Sequence, residues 1–401
     1  MAPDPLLGAE DVTFPRGFRA WGWQGGPHLK MALIWSDREA AVAGRFTTNA
    51  ARAAPVTVSQ EVVRGGKSRG VIVNAGNANA LTGEAGRRDA LEMQRRCAER
   101  LGVAPHLVAV ASTGVIGVLM PMEQIREGID RLAEWAQGGT AGGTLSAAEA
   151  ILTTDTCPKT ASIEVRLSRG VVRIGAIAKG AGMIHPQMAT MLVFITTDAA
   201  IAPQALDGLL GEATDNSFHG LSVDGDMSTN DTVLLWANGA SGVELATTED
   251  RESFQAALTR VARHLARQIA ADGEGARHLI TVRLSGARTV EDARQKARAV
   301  VRSNLVKSAV YGQDANWGRV LAAVGSVGEP WDPEKASLFM NGLALYRRGR
   351  PEPFDEAAAR RVMGSWEVVF EVELGEGTAS AEAWGCDLTE GYVDINAHYR
   401  S

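Results

Sequence analysis

Apolar residues recur at three- and four-residue spacing through "SFQAALTRVARHLARQIAADG" (253–273), where Phe254, Leu258, Val261, Leu265 and Ile269 form one stripe with arginines opposite. That period belongs to an amphipathic helix, and Gly273 stands just past its end as a stop. "RRDALEMQRRCAERLG" (87–102) repeats the pattern, with Leu91, Cys97 and Leu101 on or near one face and Gly102 as the stop. Elsewhere the period is two. "ASIEVRLSRGVVRIGAIAKG" (161–180) alternates on both sides of a Ser-Arg-Gly turn, and "HLITVRLSG" (278–286) and "WEVVFEVELGEG" (366–377) alternate again, which predicts strands. The connectors "NAGNANALTGEAG" (74–86) and "SVDGDMSTNDT" (222–232) carry turn chemistry, and loops so rich in Asn, Asp and Thr either cap turns or line a site. Helices and strands mixed without strict βαβ alternation predict an α+β fold: a layered sheet-on-sheet core flanked by helices, with the late strands closing a sheet near the C-terminus.

Composition narrows the function more than the fold. With 401 residues, 45% of them hydrophobic, the chain can bury a sizeable core. Its 41 Lys and Arg against 47 Asp and Glu leave a net charge of −6, which argues against nucleic acid or an anionic membrane as partner and for small solutes. Cys97, Cys157 and Cys386 are odd in number and far apart, a pattern that suits a reducing compartment rather than a disulfide framework. The first residues lack an apolar signal core, and no apolar run approaches the roughly 20 residues needed to span a bilayer, so a cytoplasmic location is expected. Seven scattered histidines fit no metal-ligand spacing, and "KGAGMIH" places His185 where a phosphate-binding loop needs its third glycine. No metal or cofactor is expected.

"GMIHPQMATMLVFITTDA" (182–199) sets a hydroxyl, Thr190, at the head of an otherwise apolar run. A β-branched Thr fits a strand and bonds a neighbouring carbonyl, which is one reading. The other is nucleophilic chemistry. A Thr hydroxyl becomes reactive when its own α-amine, freed by a cut just before it, acts as the base, and that amine has a reference pKa of about 7.7–8.0. The small Ala189 leaves room for attack on its own carbonyl. Such a site needs donors for the developing oxyanion, and Thr113 and Gly114 in "ASTGVIG" offer a hydroxyl and an approachable backbone N–H; an ordinary strand-to-turn glycine is the alternative.

The segment "AKGAGMIHPQMATMLVFITTDA" resembles the self-cleaving Met-Ala-Thr-Met-Leu block, after a Lys-Gly pair, of the ornithine acetyltransferases, or bifunctional glutamate N-acetyltransferases, of arginine biosynthesis. "GFRAWG", "AGRFTTNAARAAPV", "VNAGNANALTGEAG", "STGVIG", "ILTTDT", "VDGDMSTNDT", "DGEGA" and "LVKSAVYGQDANWGR" resemble further blocks in the family's order, over essentially the full length. The resemblance implies a DmpA/ornithine acetyltransferase-like fold and autoproteolysis between Ala189 and Thr190. Residues 1–189 then form an α chain and 190–401 a β chain, which together make one catalytic unit and an α₂β₂ heterotetramer. It implies ping-pong transfer of acetyl from N2-acetyl-L-ornithine to L-glutamate through acetyl-Thr190, with acetyl-CoA a second donor in bifunctional members. Thr113 and Gly114 would form the oxyanion hole, and Thr154, Lys179, Thr190, Glu274, Asn396 and Ser401 would contact substrate. Lys179 suits a substrate carboxylate and Glu274 a side-chain ammonium. The competing enzyme class is an amidohydrolase or aminopeptidase with the same N-terminal nucleophile, in which water resolves the acyl-enzyme.

The remaining blocks read as supporting structure. Asp224, Asp226, Thr229, Asn230 and Asp231 lack calcium-loop spacing and are expected in a hydrogen-bonded loop near the site. "GQDANWGR" positions Asn316 or Arg319, or packs around Trp317. Four positions depart from the family pattern: Gln187, Met227, Arg277 and Ser401. Arg277 is the most consequential, since a charge beside Glu274 would re-tune which amine or carboxylate is accepted.

Overall fold

The computed structural model of the chain describes residues 4–139, 145–185 and 191–398. The strands β1 (Phe18–Gln24), β2 (Lys30–Phe46), β3 (Lys67–Asn77), β4 (Val108–Val115), β5 (Lys159–Leu167), β6 (Gly170–Lys179), β7 (Leu192–Thr197) and β8 (Thr232–Ala237) form one sheet in the order β4-β3-β2-β8-β7-β6-β5, with β1 also on β2. A second sheet takes β9 (Leu279–Ala287), β10 (Ser337–Met340), β11 (Leu343–Arg347), β12 (Arg350–Pro351), β13 (Glu367–Glu373) and β14 (Ala379–Cys386) in the order β12-β11-β10-β13-β9-β14.

The long β2 bends the first sheet. Its sequence, KMALIWSDREAAVAGRF, is apolar toward both ends and polar at Ser36–Glu39, where its register against β3 slips between Trp35 and Ala40. The first part pairs with β1 and β3; the second part pairs with β8. The two halves of the sheet therefore pack on one another. Ala32, Ile34, Val71, Val73, Ala109 and Ala111 from one half share an apolar layer with Ile177, Leu192, Phe194, Leu234 and Trp236 from the other. Full burial of each larger side chain contributes roughly 1.5–3 kcal/mol.

Helices cover the outer faces, which completes the expected α+β layering. On one side Ala90, Met93 and Cys97 of the helix Gly83–Leu101, with Ile125, Ile129 and Leu132 of the helix Met122–Gly138, pack on Leu33, Ile72 and Val110. On the other, the helices Pro203–Asp215 and Thr248–Ala271 lay Leu206, Leu209, Phe254, Leu258, Val261 and Leu265 over Val165, Ile174, Val193 and Val233. The stripe read from the sequence is this buried face. The helix starts five residues before Ser253, because Thr247 and Asp250 close a reciprocal capping box, and it is capped by Asp272, one residue ahead of Gly273.

The hairpin expected around Ser-Arg-Gly is β5–β6, with Leu167 opposite Gly170. "HLITVRLSG" and "WEVVFEVELGEG" are β9 and β13, paired in parallel. The late strands thus build a separate second sheet with its own core. Its Ile280, Val282, Val368 and Phe370 pack under Ala293, Ala297, Val300 and Val324 of neighbouring helices. No described helix is long and apolar enough to cross a membrane.

Candidate active site

At the ends of β4 and β6, a cavity of about 380 Å³ is lined by Thr113, Gly114, Thr154, Lys179, Glu274 and Asn396, drawn from five separate stretches of the chain. These are all the predicted site residues that fall within the described residues. Ala189, Thr190 and Ser401, and the departing Gln187, lie outside them.

Thr113 and Gly114 stand near the end of β4, just before Val115. Their pairing with β3 is irregular at Gly76 and Asn77, which re-aims the strand end. Gly114 has φ +128, and a Cβ there would stand 2.4 Å from the backbone carbon of Gly76, so the position admits no side chain. The Asn-rich connector fixes this corner. Ser112 Oγ donates to Asn74 Oδ1 (2.6 Å), Asn74 Nδ2 to the Asn77 carbonyl (2.8 Å), and Asn230 Nδ2 to the carbonyls of Ala78 (2.6 Å) and Ser112 (2.8 Å).

Lys179 ends β6 and is buried. Its Nζ donates to Thr153 Oγ1 (2.7 Å) and Thr113 Oγ1 (3.4 Å) and lies 3.5 Å from Asp155 Oδ2. Asp155 is itself buried and also receives Lys159 Nζ (2.8 Å) and the Gly180 N–H (2.5 Å); Lys159 continues to Asp272 (2.6 Å). Burial opposes charge on Asp155, but the Lys179 and Lys159 ammoniums outweigh it and hold the carboxyl well below the usual carboxylate range. Neither Thr153 nor Asp155 was singled out from the sequence. "TTDT" carries the signal, an acid one residue past the expected Thr154, with one partner lysine, Lys159, four positions on and the other, Lys179, 24 positions away.

Glu274 faces Lys179's end of the cavity from the turn after the helix Thr248–Ala271. It accepts a hydrogen bond from Asn396 Nδ2 (2.7 Å) in the helix Glu390–His398, and its own N–H donates to the Ala181 carbonyl (2.9 Å). Gly182 abuts the carboxylate so closely that a Cβ there would stand 2.3 Å from Cδ. Tyr392, also missed from the sequence, lines the cavity from the same helix as Asn396.

The loop Ser222–Thr232 forms the remaining wall, as expected of a hydrogen-bonded segment near the site. Asp224 accepts the N–H groups of Met183 (2.5 Å) and Ile184 (2.8 Å), and Met183 is held at φ +57, unusual for a residue with a side chain. Asp231 accepts the N–H of Met191 (3.2 Å). One loop therefore grips both described flanks of residues 186–190. Lys307, buried, anchors that loop by donating to the Val223 carbonyl.

Among the departing positions, Met227 lines the cavity. Arg277 does not, contrary to expectation. Asp387 takes its backbone N–H (2.8 Å) and the next residue's (3.0 Å), and the guanidinium stacks 5.3 Å from the Tyr311 ring centre. Asn316 caps the helix Trp317–Gly325, and Trp317 stacks on Tyr346 at 5.2 Å, so this block is a packed turn.

The chain matches the ArgJ family over residues 17–401. It is similar to the arginine biosynthesis bifunctional protein ArgJ of Symbiobacterium thermophilum, 51% identical over 401 residues, covering 98% of this chain and 99% of that one. The protein of the same name from Bacillus subtilis is 44% identical over 397 residues, covering 98% and 97%. Among solved structures, the arginine biosynthesis bifunctional protein ArgJ of Bacillus halodurans is 40% identical with a TM-score of 0.50, covering 52% of this chain and 98% of that chain. With the family spanning nearly every residue and half the positions identical to a full-length relative, the chain belongs to the ArgJ family of arginine-biosynthesis enzymes.

Proposed function

We propose that the chain cuts itself between Ala189 and Thr190 and moves acetyl from N2-acetyl-L-ornithine to L-glutamate through acetyl-Thr190. The observation that carries this reading is the convergence of Thr113, Gly114, Thr154, Lys179, Glu274 and Asn396 on one cavity beside β7, the strand whose first residues follow Thr190. Lys179 stands opposite Leu192 in the β6–β7 register, so β7 begins beside the cavity's lysine. The crystallised Bacillus halodurans chain supports a cut, being about half as long as this one.

In this mechanism the freed α-amine of Thr190 takes the hydroxyl proton as Oγ attacks the acetyl carbonyl. The Thr113 hydroxyl and the Gly114 N–H receive the oxyanion, each such donor stabilising the transition state by about 3 kcal/mol. The C–N bond breaks, the amine of ornithine takes the proton and leaves, and the α-amine of glutamate repeats the steps in reverse. Lys179 pairs a substrate carboxylate, while Glu274, held by Asn396, pairs the ornithine ammonium. Acetyl-CoA loads the same Thr190 as a second donor, and no bound cofactor is required. The working form is an α₂β₂ assembly of residues 1–189 and 190–401 in the cytoplasm, where the three unpaired thiols stay reduced.

Denaturing mass spectrometry of the purified protein tests the cut. Two fragments summing to the chain plus one water, the second starting at Thr190 and gaining an acetyl group on incubation with N-acetylornithine, are expected. Thr190→Ala should give one intact species and no N-acetylglutamate. An intact wild-type chain that still transfers acetyl would sink the mechanism, and acetate in place of N-acetylglutamate would reassign the enzyme as a hydrolase.

A further inference from the structure

Asp231 is a buried acid that the transfer steps leave without a task. Its side chain is fully excluded from solvent, and Oδ1 accepts the Met191 N–H at 3.2 Å. A buried carboxyl is costly in its charged form. Burial pushes it well above the usual carboxylate range. The groups around it are the Lys179 ammonium on β6, the Thr47 hydroxyl past the end of β2 and the Ser228 hydroxyl of its own loop.

Its placement is set by register. Leu192 and Thr232 are opposite each other in the parallel β7–β8 pair, and the Thr232 N–H donates to the Met191 carbonyl (3.1 Å), so Met191 and Asp231 enter the sheet side by side. Met191 is bonded to Thr190, and standard bond lengths keep the Thr190 nitrogen within about 3.7 Å of the Met191 nitrogen whatever the torsions.

We propose that Asp231 is the acid that protonates the Thr190 nitrogen when the Ala189–Thr190 bond breaks. This rests on the self-cleavage put forward above. Thr190 Oγ adds to the Ala189 carbonyl carbon, forming C–O, and the C–N bond then breaks. An amide nitrogen leaves only if it gains a proton. Oδ2–H supplies it, and the proton lost from Oγ replaces it on the carboxyl, so the step is an isomerisation to an ester in which Asp231 starts and ends neutral. Water then adds to the ester, releasing the Ala189 carboxyl group and restoring the Thr190 hydroxyl. Once the chain is cut, the same carboxyl keeps the Met191 amide, one residue ahead of β7, in place.

The test follows cleavage in cell-free translation, where every full-length chain begins uncut, by denaturing mass spectrometry at a series of pH values. Wild type, Asp231→Asn and Asp231→Glu are compared, with circular dichroism melts to check folding. Asp231→Asn, which keeps a neutral acceptor for Met191, should fold and cleave about 100-fold or more slowly. Wild-type cleavage should slow as rising pH removes the acid proton, a limb that Asp231→Asn lacks and Asp231→Glu partly restores. A folded Asp231→Asn that cleaves within threefold of wild type overturns the role of Asp231 and leaves self-cleavage standing. A wild-type chain that never cleaves removes both. Should Asp231→Asn fail to fold, Asp231→Glu decides: cleavage with a displaced pH limb supports the acid, and a limb unmoved from wild type overturns it.

Discussion

Glu274 shows how one side chain in this cavity is made ready for a charge before any ligand arrives. Its carboxylate is pinned by Asn396 and packed against Gly182, leaving one direction open, into the cavity beside Asp224 and Tyr392. Glu274→Gln keeps the acceptor for Asn396 and removes only the charge. KM for N-acetylornithine should therefore rise about 10- to 100-fold, the worth of a charge-assisted hydrogen bond, with kcat changed far less; steady-state kinetics check this. At this scale the sequence was only partly readable. Thr113, Lys179 and Glu274 stand in blocks that resemble a known family, whereas Thr153 and Asp155 matter because a loop folds back under β6, which no local pattern announces. Arg277 failed in the opposite way. Its neighbour in sequence is the cavity's Glu274, but Asp387 and Tyr311 turn it elsewhere.

Among the elements, the helix Thr248–Ala271 has the most to hold together, since it packs on β5 and β6 of the first sheet and reaches β14 of the second. Its start is set by Thr247, whose hydroxyl accepts the Asp250 N–H while the Asp250 carboxylate receives the Thr247 N–H. Thr247→Ala should cost about 1 kcal/mol, a melting-temperature drop of about 1 °C by calorimetry in a chain of this size. The core stripe of this helix was legible because one face is buried and the other wet. The β5–β6 hairpin was legible because β5 keeps a partly wet face and the Ser-Arg-Gly turn marks the join. The bend in β2 was not, because both ends of that strand are buried on both faces and periodicity fades when nothing faces water.

Across the molecule, the chain Lys179–Asp155–Lys159–Asp272 joins the cavity to the end of that helix, its first three side chains buried. Asp155→Asn leaves the buried Lys179 ammonium without a carboxylate, while Lys159 keeps Asp272, and should lower stability by about 3 kcal/mol in urea titrations. The sign with pH follows from the depressed carboxyl. Its contribution is complete above the unfolded value of about 3.9 and is lost as pH falls below that toward the lower folded value, so wild type should lose stability across this acid range and Asp155→Asn should lose less. The strand order carries one more consequence. β7 and β8 lie between β2 and β6, so a cut after Ala189 would leave two pieces dovetailed, the later piece's strands slotted into the middle of the earlier piece's sheet. Neither piece could be slid out without tearing backbone ladders on two sides. Partners joined at birth would stay together for life, and mixing two isotopically distinct preparations should yield no mixed pair of the two pieces.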